Sequence, residues 1–195
     1  MKLCVFQGTF NPIHRVHIKV AEFALKHYGF DKILFIPAYL PPHKEVDNNL
    51  ANHRLNMVRL AIQDIPGFDV SDIEFKRGGK SYTYLTILEL RKIYGITDKI
   101  NFLIGTDAFE KIDSWYEADK LKELLHFIVF PRCTDFKPED YSGLKAMGYD
   151  YEFAPMEYID VSSTDIRNNL ISGKSVNNLE LPQVAEYIKE NGLYE

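Results

Sequence analysis

The chain has 195 residues, 46% of them hydrophobic and 26% charged, and a net charge of −5. That length suits one domain, 1–195, with a core able to bury roughly 70% of the unfolded surface. The acidic balance speaks against a nucleic-acid polymer as partner, which calls for a basic face. No apolar run nears the roughly 18 residues of a membrane span. The chain opens directly on a strand pattern, so no signal peptide is expected, and its two cysteines, Cys4 and Cys133, lack metal-like spacing. A cytoplasmic protein with reduced thiols is the expectation.

In chain order, β-rich apolar runs at 2–6, 32–36, 68–71, 99–104, 127–130 and 151–154 alternate with helical patterns. The helices are expected at about 17–28, 51–64, 83–94, 114–125 and 164–172, with a last one over 182–191 that Pro182 opens and Gly192 stops. In the first, Ala21, Ala24, Leu25 and Tyr28 share one face. Strands so continuously apolar are expected to be buried on both faces. The alternation predicts an α/β fold, doubly wound on a mainly parallel, Rossmann-like sheet, with a small helical part at the C-terminus. Such sheets bind ligands beyond the carboxyl ends of their strands, and five unusual polar segments fall there.

The first is Gly8-Thr9-Phe10-Asn11-Pro12-Ile13-His14-Arg15-Val16-His17. A strand breaks at glycine and restarts as a helix, so backbone N–H groups can face phosphates. His14 and His17 are three apart and share a helix face, adding imidazole donors for a phosphoryl group. Their spacing is not that of a zinc helix. The second, Pro37-Ala38-Tyr39-Leu40-Pro41-Pro42-His43-Lys44, is a proline-stiffened loop with two basic groups at its tip. The third, Lys80-Ser81-Tyr82-Thr83, opens a helix, and Ser81 or Thr83 serves at least as a cap. The fourth runs from Gly105-Thr106-Asp107 to Asp113-Ser114-Trp115-Tyr116. A strand-end aspartate suits sugar hydroxyls; Trp115 is either a core anchor or a stacking surface for a flat ring. The fifth is Ser162-Ser163-Thr164-Asp165-Ile166-Arg167. Ser162 and Asp165 fit a capping pattern. Arg167 opposes the macrodipole in a first turn, so a bound anion explains it better than helix stability does.

Together these segments resemble the bacterial nicotinate-nucleotide adenylyltransferases of the HxGH nucleotidyltransferase superfamily. Gly8-Thr9-Phe10-Asn11-Pro12-Ile13-His14 matches the first signature, and Ser162 to Arg167 resembles the second. Pro41-Pro42-His43-Lys44, Ser81-Tyr82-Thr83, Gly105-Thr106-Asp107, Ser114-Trp115-Tyr116 and the ending Gly192-Leu193-Tyr194 follow in the family's order. Two departures stand out. Gln7 replaces the first of a glycine pair, and Val16 replaces the glycine of H-x-G-H. Val16 either pushes the adenine outward, narrows the pocket or faces the sheet.

The resemblance implies transfer of AMP from ATP to nicotinate mononucleotide, giving deamido-NAD and pyrophosphate, with Mg2+ arriving on ATP and no protein-held metal. It implies catalytic roles for His14, His17 and Arg167. Gly8, Thr9, Phe10, Gly105, Asp107, Ser162, Ser163 and Thr164 would bind ATP, with Asp107 at its ribose. Trp115 would stack on the pyridine ring, Tyr82, Thr83 and Tyr116 would meet its carboxylate, and His43 and Lys44 would meet the nucleotide phosphate. Another acceptor such as nicotinamide mononucleotide, or a non-catalytic nucleotide sensor, stays open at this point. So does a homo-oligomer, because no interface pattern stands out from the core periodicity.

Overall fold

The computed structural model describes residues 1–43, 45–173 and 181–194. Six parallel strands form one sheet: β1 Leu3–Gly8, β2 Lys32–Pro37, β3 Phe68–Val70, β4 Ile100–Gly105, β5 Leu125–Phe130 and β6 Tyr151–Phe153. Their spatial order is β3-β2-β1-β4-β5-β6. The chain therefore starts in the middle, winds outward through β2 and β3, and returns to the other side of β1 for β4. The reversal lies between β1 and β4, the point at which open α/β sheets form a crevice. Register brings the polar segments level. Gly8 pairs with Pro37, and Gly105 with Phe130. Val5 pairs with Phe102, and three residues further along that register Gly8 meets the row of Gly105.

Side chains alternate across each strand and feed two cores. Cys4, Phe6, Ile33, Phe35, Leu103 and Ile128 point to one face. There they pack against α1 Arg15–His27, α2 Ala51–Ile62 and the helix near the C-terminus. Leu3, Val5, Leu34, Ile36, Phe102 and Phe127 point to the other. That face is covered by α3 Ile73–Arg77, α4 Thr83–Tyr94, α5 Thr106–Phe109, α6 Ala118–Leu124 and the segment around α7 Ser142–Ala146. Two further helices, α8 Ser163–Ile171 and α9 Pro182–Glu190, complete the described chain. Pro182 opens α9 as its φ and missing donor favour, and α4 stops where Gly95 turns left-handed at φ 63.

The expected strands and six of the helices are present within a few residues. The helix expected over 114–125 is shorter. A 3₁₀ turn occupies Ile112–Ser114, Glu117 adopts a left-handed φ of 57, and α6 starts only at Ala118. Trp115 and Tyr116 thus lie on irregular backbone. The short helices α3, α5 and α7 went unanticipated, because four or five residues carry too little periodicity to read. Among the described residues no helix is long and apolar enough to cross a membrane, and both cysteines are free thiols, Cys4 buried and Cys133 exposed.

Candidate active site

The first signature turns sharply off β1. Phe10 holds φ 48 and folds its ring back toward the strand end, so a Cβ on Gly8 would stand 2.9 Å from Phe10 Cζ. Glycine at position 8 is needed for that close approach, since its own φ is unexceptional. Phe10 then packs on Phe6 and Phe35 at 5.5 and 5.8 Å between ring centroids. The turn ends at His14, whose extended backbone caps α1. The His14 backbone N–H donates to His17 Nδ1 at 3.2 Å, and the two rings lie 3.8 Å apart. An accepting Nδ1 puts the ring proton of a neutral His17 on Nε2. His14 is fully buried. Burial, and then the Arg132 charge, push its pKa down to about 3. Neither of its ring nitrogens has a hydrogen-bond partner among the described residues, a state that a polar ligand would relieve. Val16 is buried in the first core, the placement expected of a side chain that faces the sheet.

The second signature is docked on the first. Ser162 caps α8, its Oγ accepting from the Asp165 N–H at 3.1 Å while its hydroxyl bonds the Asp165 carboxylate. Ser163 Oγ donates to the Pro12 carbonyl at 2.9 Å. Arg167 Nη1 donates to the Asn11 carbonyl at 2.7 Å, and its Nη2 to Thr164 Oγ1 at 3.2 Å. Arg167 is the fifth residue of α8, past the first turn in which it was expected, and it has a protein partner of its own, a reason for its placement that the sequence did not reveal. The end of the chain joins in, with Tyr194 Oη donating to Asn11 Oδ1 at 2.6 Å. The loop that aims the histidines is thus held from three positions far along the chain.

At the next strand end, a Cβ on Gly105 would meet Asp107 Oδ1 at 2.6 Å and Arg132 Cγ at 2.7 Å. Glycine there lets Arg132, just past β5, lie across the tip of β4. Its N–H donates to buried Thr106 Oγ1 at 3.0 Å, and its Nε stands 3.9 Å from the exposed Asp107 carboxylate. Sequence reading passed over Arg132, although the strand-end rule that marked its neighbours applies to it equally.

The remaining segments meet on the other side of β1. Leu40 and Lys80 form a bridge, Ser81 N–H donates to the Leu40 carbonyl at 2.9 Å, and Leu40 N–H donates to Ser81 Oγ at 3.0 Å. Ser81 is therefore a staple between the two loops, and Tyr82 takes the cap position of α4. The Tyr82 ring stacks on that of Tyr116 at 4.5 Å, and Thr83 is buried beneath. Trp115 is half-buried, edge-on to Phe102 at 6.4 Å, and lines a cavity of about 430 Å³ with Asp113, Glu117, Asp119, Lys122 and Tyr149, a set that does not include Tyr82, Thr83 or Tyr116. It anchors the second core while keeping one side open. His43 is exposed on the proline loop and is not among the residues lining the cavity of about 580 Å³ formed by Leu40, Pro41, Pro42, Glu45, Asp47 and Lys80. Lys44 lies outside the described residues.

Sequence reading also missed Arg54. On α2 and fully buried, it donates to the carbonyls of Thr9, Ala38 and Tyr39 at 2.8, 2.5 and 3.0 Å. One guanidinium satisfies the loop after β1 and the loop after β2 together. An isolated arginine in a helix pattern gave no signal for this.

Comparison with known proteins agrees with this geometry. The cytidylyltransferase-like family profile matches residues 5–169. The nicotinate-nucleotide adenylyltransferase of Bacillus subtilis is 36% identical over 201 residues, covering 100% of this chain and 98% of that one. A Caldicellulosiruptor bescii protein named "Probable nicotinate-nucleotide adenylyltransferase" is 37% identical over 197 residues, covering 100% and 99%. Among solved structures, Plasmodium falciparum nicotinic acid mononucleotide adenylyltransferase complexed with NaAD superposes with a TM-score of 0.82 over 98% of this chain and 96% of that one. At 22% identity that likeness speaks for the fold. The chain belongs to the cytidylyltransferase-like family and, within it, to the nicotinate-nucleotide adenylyltransferases.

Proposed function

We propose that this enzyme transfers AMP from ATP to nicotinate mononucleotide, giving deamido-NAD and pyrophosphate, a step of NAD biosynthesis. The observation that carries it is the docking of Ser163 and Arg167 onto the Asn11–Pro12 carbonyls, which joins the two signatures at the β1/β4 crevice. The acceptor's 5′-phosphate oxygen attacks the α-phosphorus in line. The bond from that phosphorus to the bridging oxygen breaks, and pyrophosphate leaves with the electron pair. Little covalent help is needed; positioning and stabilisation of spreading negative charge do the work.

His17 offers Nε2–H to the α-phosphate oxygen, and neutral His14 stands behind it as a second donor. Gly8, Thr9 and Phe10 supply the turn that faces the triphosphate. Ser162, Ser163, Thr164 and Arg167 ring the β,γ end at the start of α8, where the helix N-terminus favours anions. Asp107 faces the ATP ribose, and Arg132 adds positive potential between them. Magnesium carried on ATP would neutralise part of the phosphate charge. The local groups suit an ion ligated by phosphate and water, being imidazoles turned on one another and an exposed Asp107 beside an arginine. On the acceptor side Trp115 stacks on the pyridine ring. Tyr82, Thr83 and Tyr116 meet the carboxylate, and His43 with Lys44 meets the nucleotide phosphate.

The test is pyrophosphate release with Mg-ATP and nicotinate mononucleotide, nicotinamide mononucleotide or no acceptor. Release with nicotinate mononucleotide alone is the expected result. Equal rates with both nucleotides remove the carboxylate role of Tyr82, Thr83 and Tyr116, and release with neither overturns the proposed reaction.

A further inference from the structure

Glu74, on α3, has a wholly enclosed side chain. Its Oε1 accepts from Gln7 Nε2 and from Thr86 Oγ1, each at 2.6 Å, and its Oε2 accepts from the Tyr39 backbone N–H at 3.2 Å. Arg77 Nη2 stands 3.7 Å from Oε1 and donates to Thr86 Oγ1 at 3.1 Å, while its Nη1 pairs with Glu89 at 3.2 Å. Gln7, Tyr39 and Thr86 donate to it directly and Arg77 through Thr86, so the Glu74 side chain serves as an acceptor to all four.

The three donors sit on three different elements. Gln7 is the residue before Gly8, at the end of β1. Tyr39 opens the proline loop that carries His43. Thr86 lies one turn inside α4, whose first turn presents Tyr82 and Thr83. Position 7 is also where the chain departs from the glycine of the family it resembles. A glycine there has no side chain to reach the carboxylate. The histidine helix α1 packs on the opposite face of the sheet, and among the described residues the hydrogen bonds of Glu74 go to β1, the proline loop and α4, so this network braces the acceptor segments directly.

We propose that Glu74 is a positioning residue for the acceptor nucleotide, setting the proline loop and the start of α4 against β1, with Gln7 as this chain's own link to it. The inference rests on the proposed function, because it assigns these two segments to the acceptor. Replacing the carboxylate by an amide turns an NH2 toward groups that also donate. The loop and α4 then lose their common reference while the α1–α8 contacts stay in place.

The experiment is steady-state kinetics of Glu74→Gln with each substrate varied in turn, alongside melting temperature. The expected result is a rise in acceptor KM of roughly 5–20-fold, with ATP KM and kcat within about threefold of wild type. The swapped double variant, Gln7→Glu with Glu74→Gln, restores the amide–carboxylate pair and is expected to recover most of the acceptor KM. Should Glu74→Gln fail to fold, Gln7→Met removes a single hydrogen bond and is expected to raise acceptor KM alone, by about 2–5-fold. Equal changes in both KM values, or a melting loss with neither KM changed, overturn the inference. A wild-type enzyme that releases no pyrophosphate with the acceptor overturns the proposed function instead, and this inference falls with it.

Discussion

Buried His14 gives the protein's stability a pH signature. The imidazole is fully enclosed, and its folded-state pKa is pushed down to about 3 from an ordinary 6.5. The unfolded chain therefore takes up a proton that the folded chain refuses. This group costs no stability well above pH 6.5, and the cost grows as pH falls from there toward 3. By linkage it amounts to about 2 kcal/mol near pH 5 and about 0.2 kcal/mol near pH 7. Urea unfolding of wild type and His14→Gln at both pH values isolates it, since other titrating groups cancel in the double difference. Wild type is expected to lose about 2 kcal/mol more than His14→Gln on going from about pH 7 to about pH 5. Parallel losses in the two proteins would show that His14 is hydrated and titrates normally, which refutes both its burial and its role as a neutral donor. The same neutrality matters for catalysis. A histidine that stays uncharged offers one N–H and draws no proton from its neighbour, leaving the His17 backbone-directed tautomer undisturbed.

Four other changes test the remaining contacts. His17→Ala should lower kcat by about 10²–10³ with the fold retained, because one transition-state donor is lost; a wild-type rate in the folded variant removes its role. Val16→Gly should destabilise by about 2–4 kcal/mol, combining lost burial and a helix glycine, with ATP affinity unchanged in the folded protein; tighter ATP binding would mean that Val16 faces the adenine after all. Arg54→Met leaves the Thr9, Ala38 and Tyr39 carbonyls without their donor and should cost at least about 3 kcal/mol in urea unfolding. A loss under about 1 kcal/mol would mean that water already serves those carbonyls. Trp115→Ala should raise the acceptor KM about tenfold and leave the ATP KM alone; a lower melting temperature with both KM values unchanged would reduce Trp115 to a support for Phe102.

What the sequence revealed and what it hid divide along a physical line. Strands β1, β2, β4 and β5 are buried on both faces, so their continuous apolar runs stood out, and the strand-end rule then picked out Gly8, Gly105 and the histidines. The first and last signatures were legible because glycine, proline and histidine in close sequence have few packing roles. The groups that hold those signatures in place were not. Arg54, Glu74 and Arg132 are single charged residues in otherwise ordinary helix or loop patterns, and a sequence marks such residues as solvated. Each works largely through partners on other elements, such as Thr9 for Arg54 or Tyr39 for Glu74. Arg167 shows the same blindness in reverse. Its position against the macrodipole was noticed, but its Asn11 carbonyl partner lies 156 residues earlier. Groups that would touch substrate sit in local motifs, because a turn and a helix start must deliver several donors at one point. Groups that aim those motifs are drawn from anywhere in the chain, because a buried charge needs only an enclosed site and enough partners.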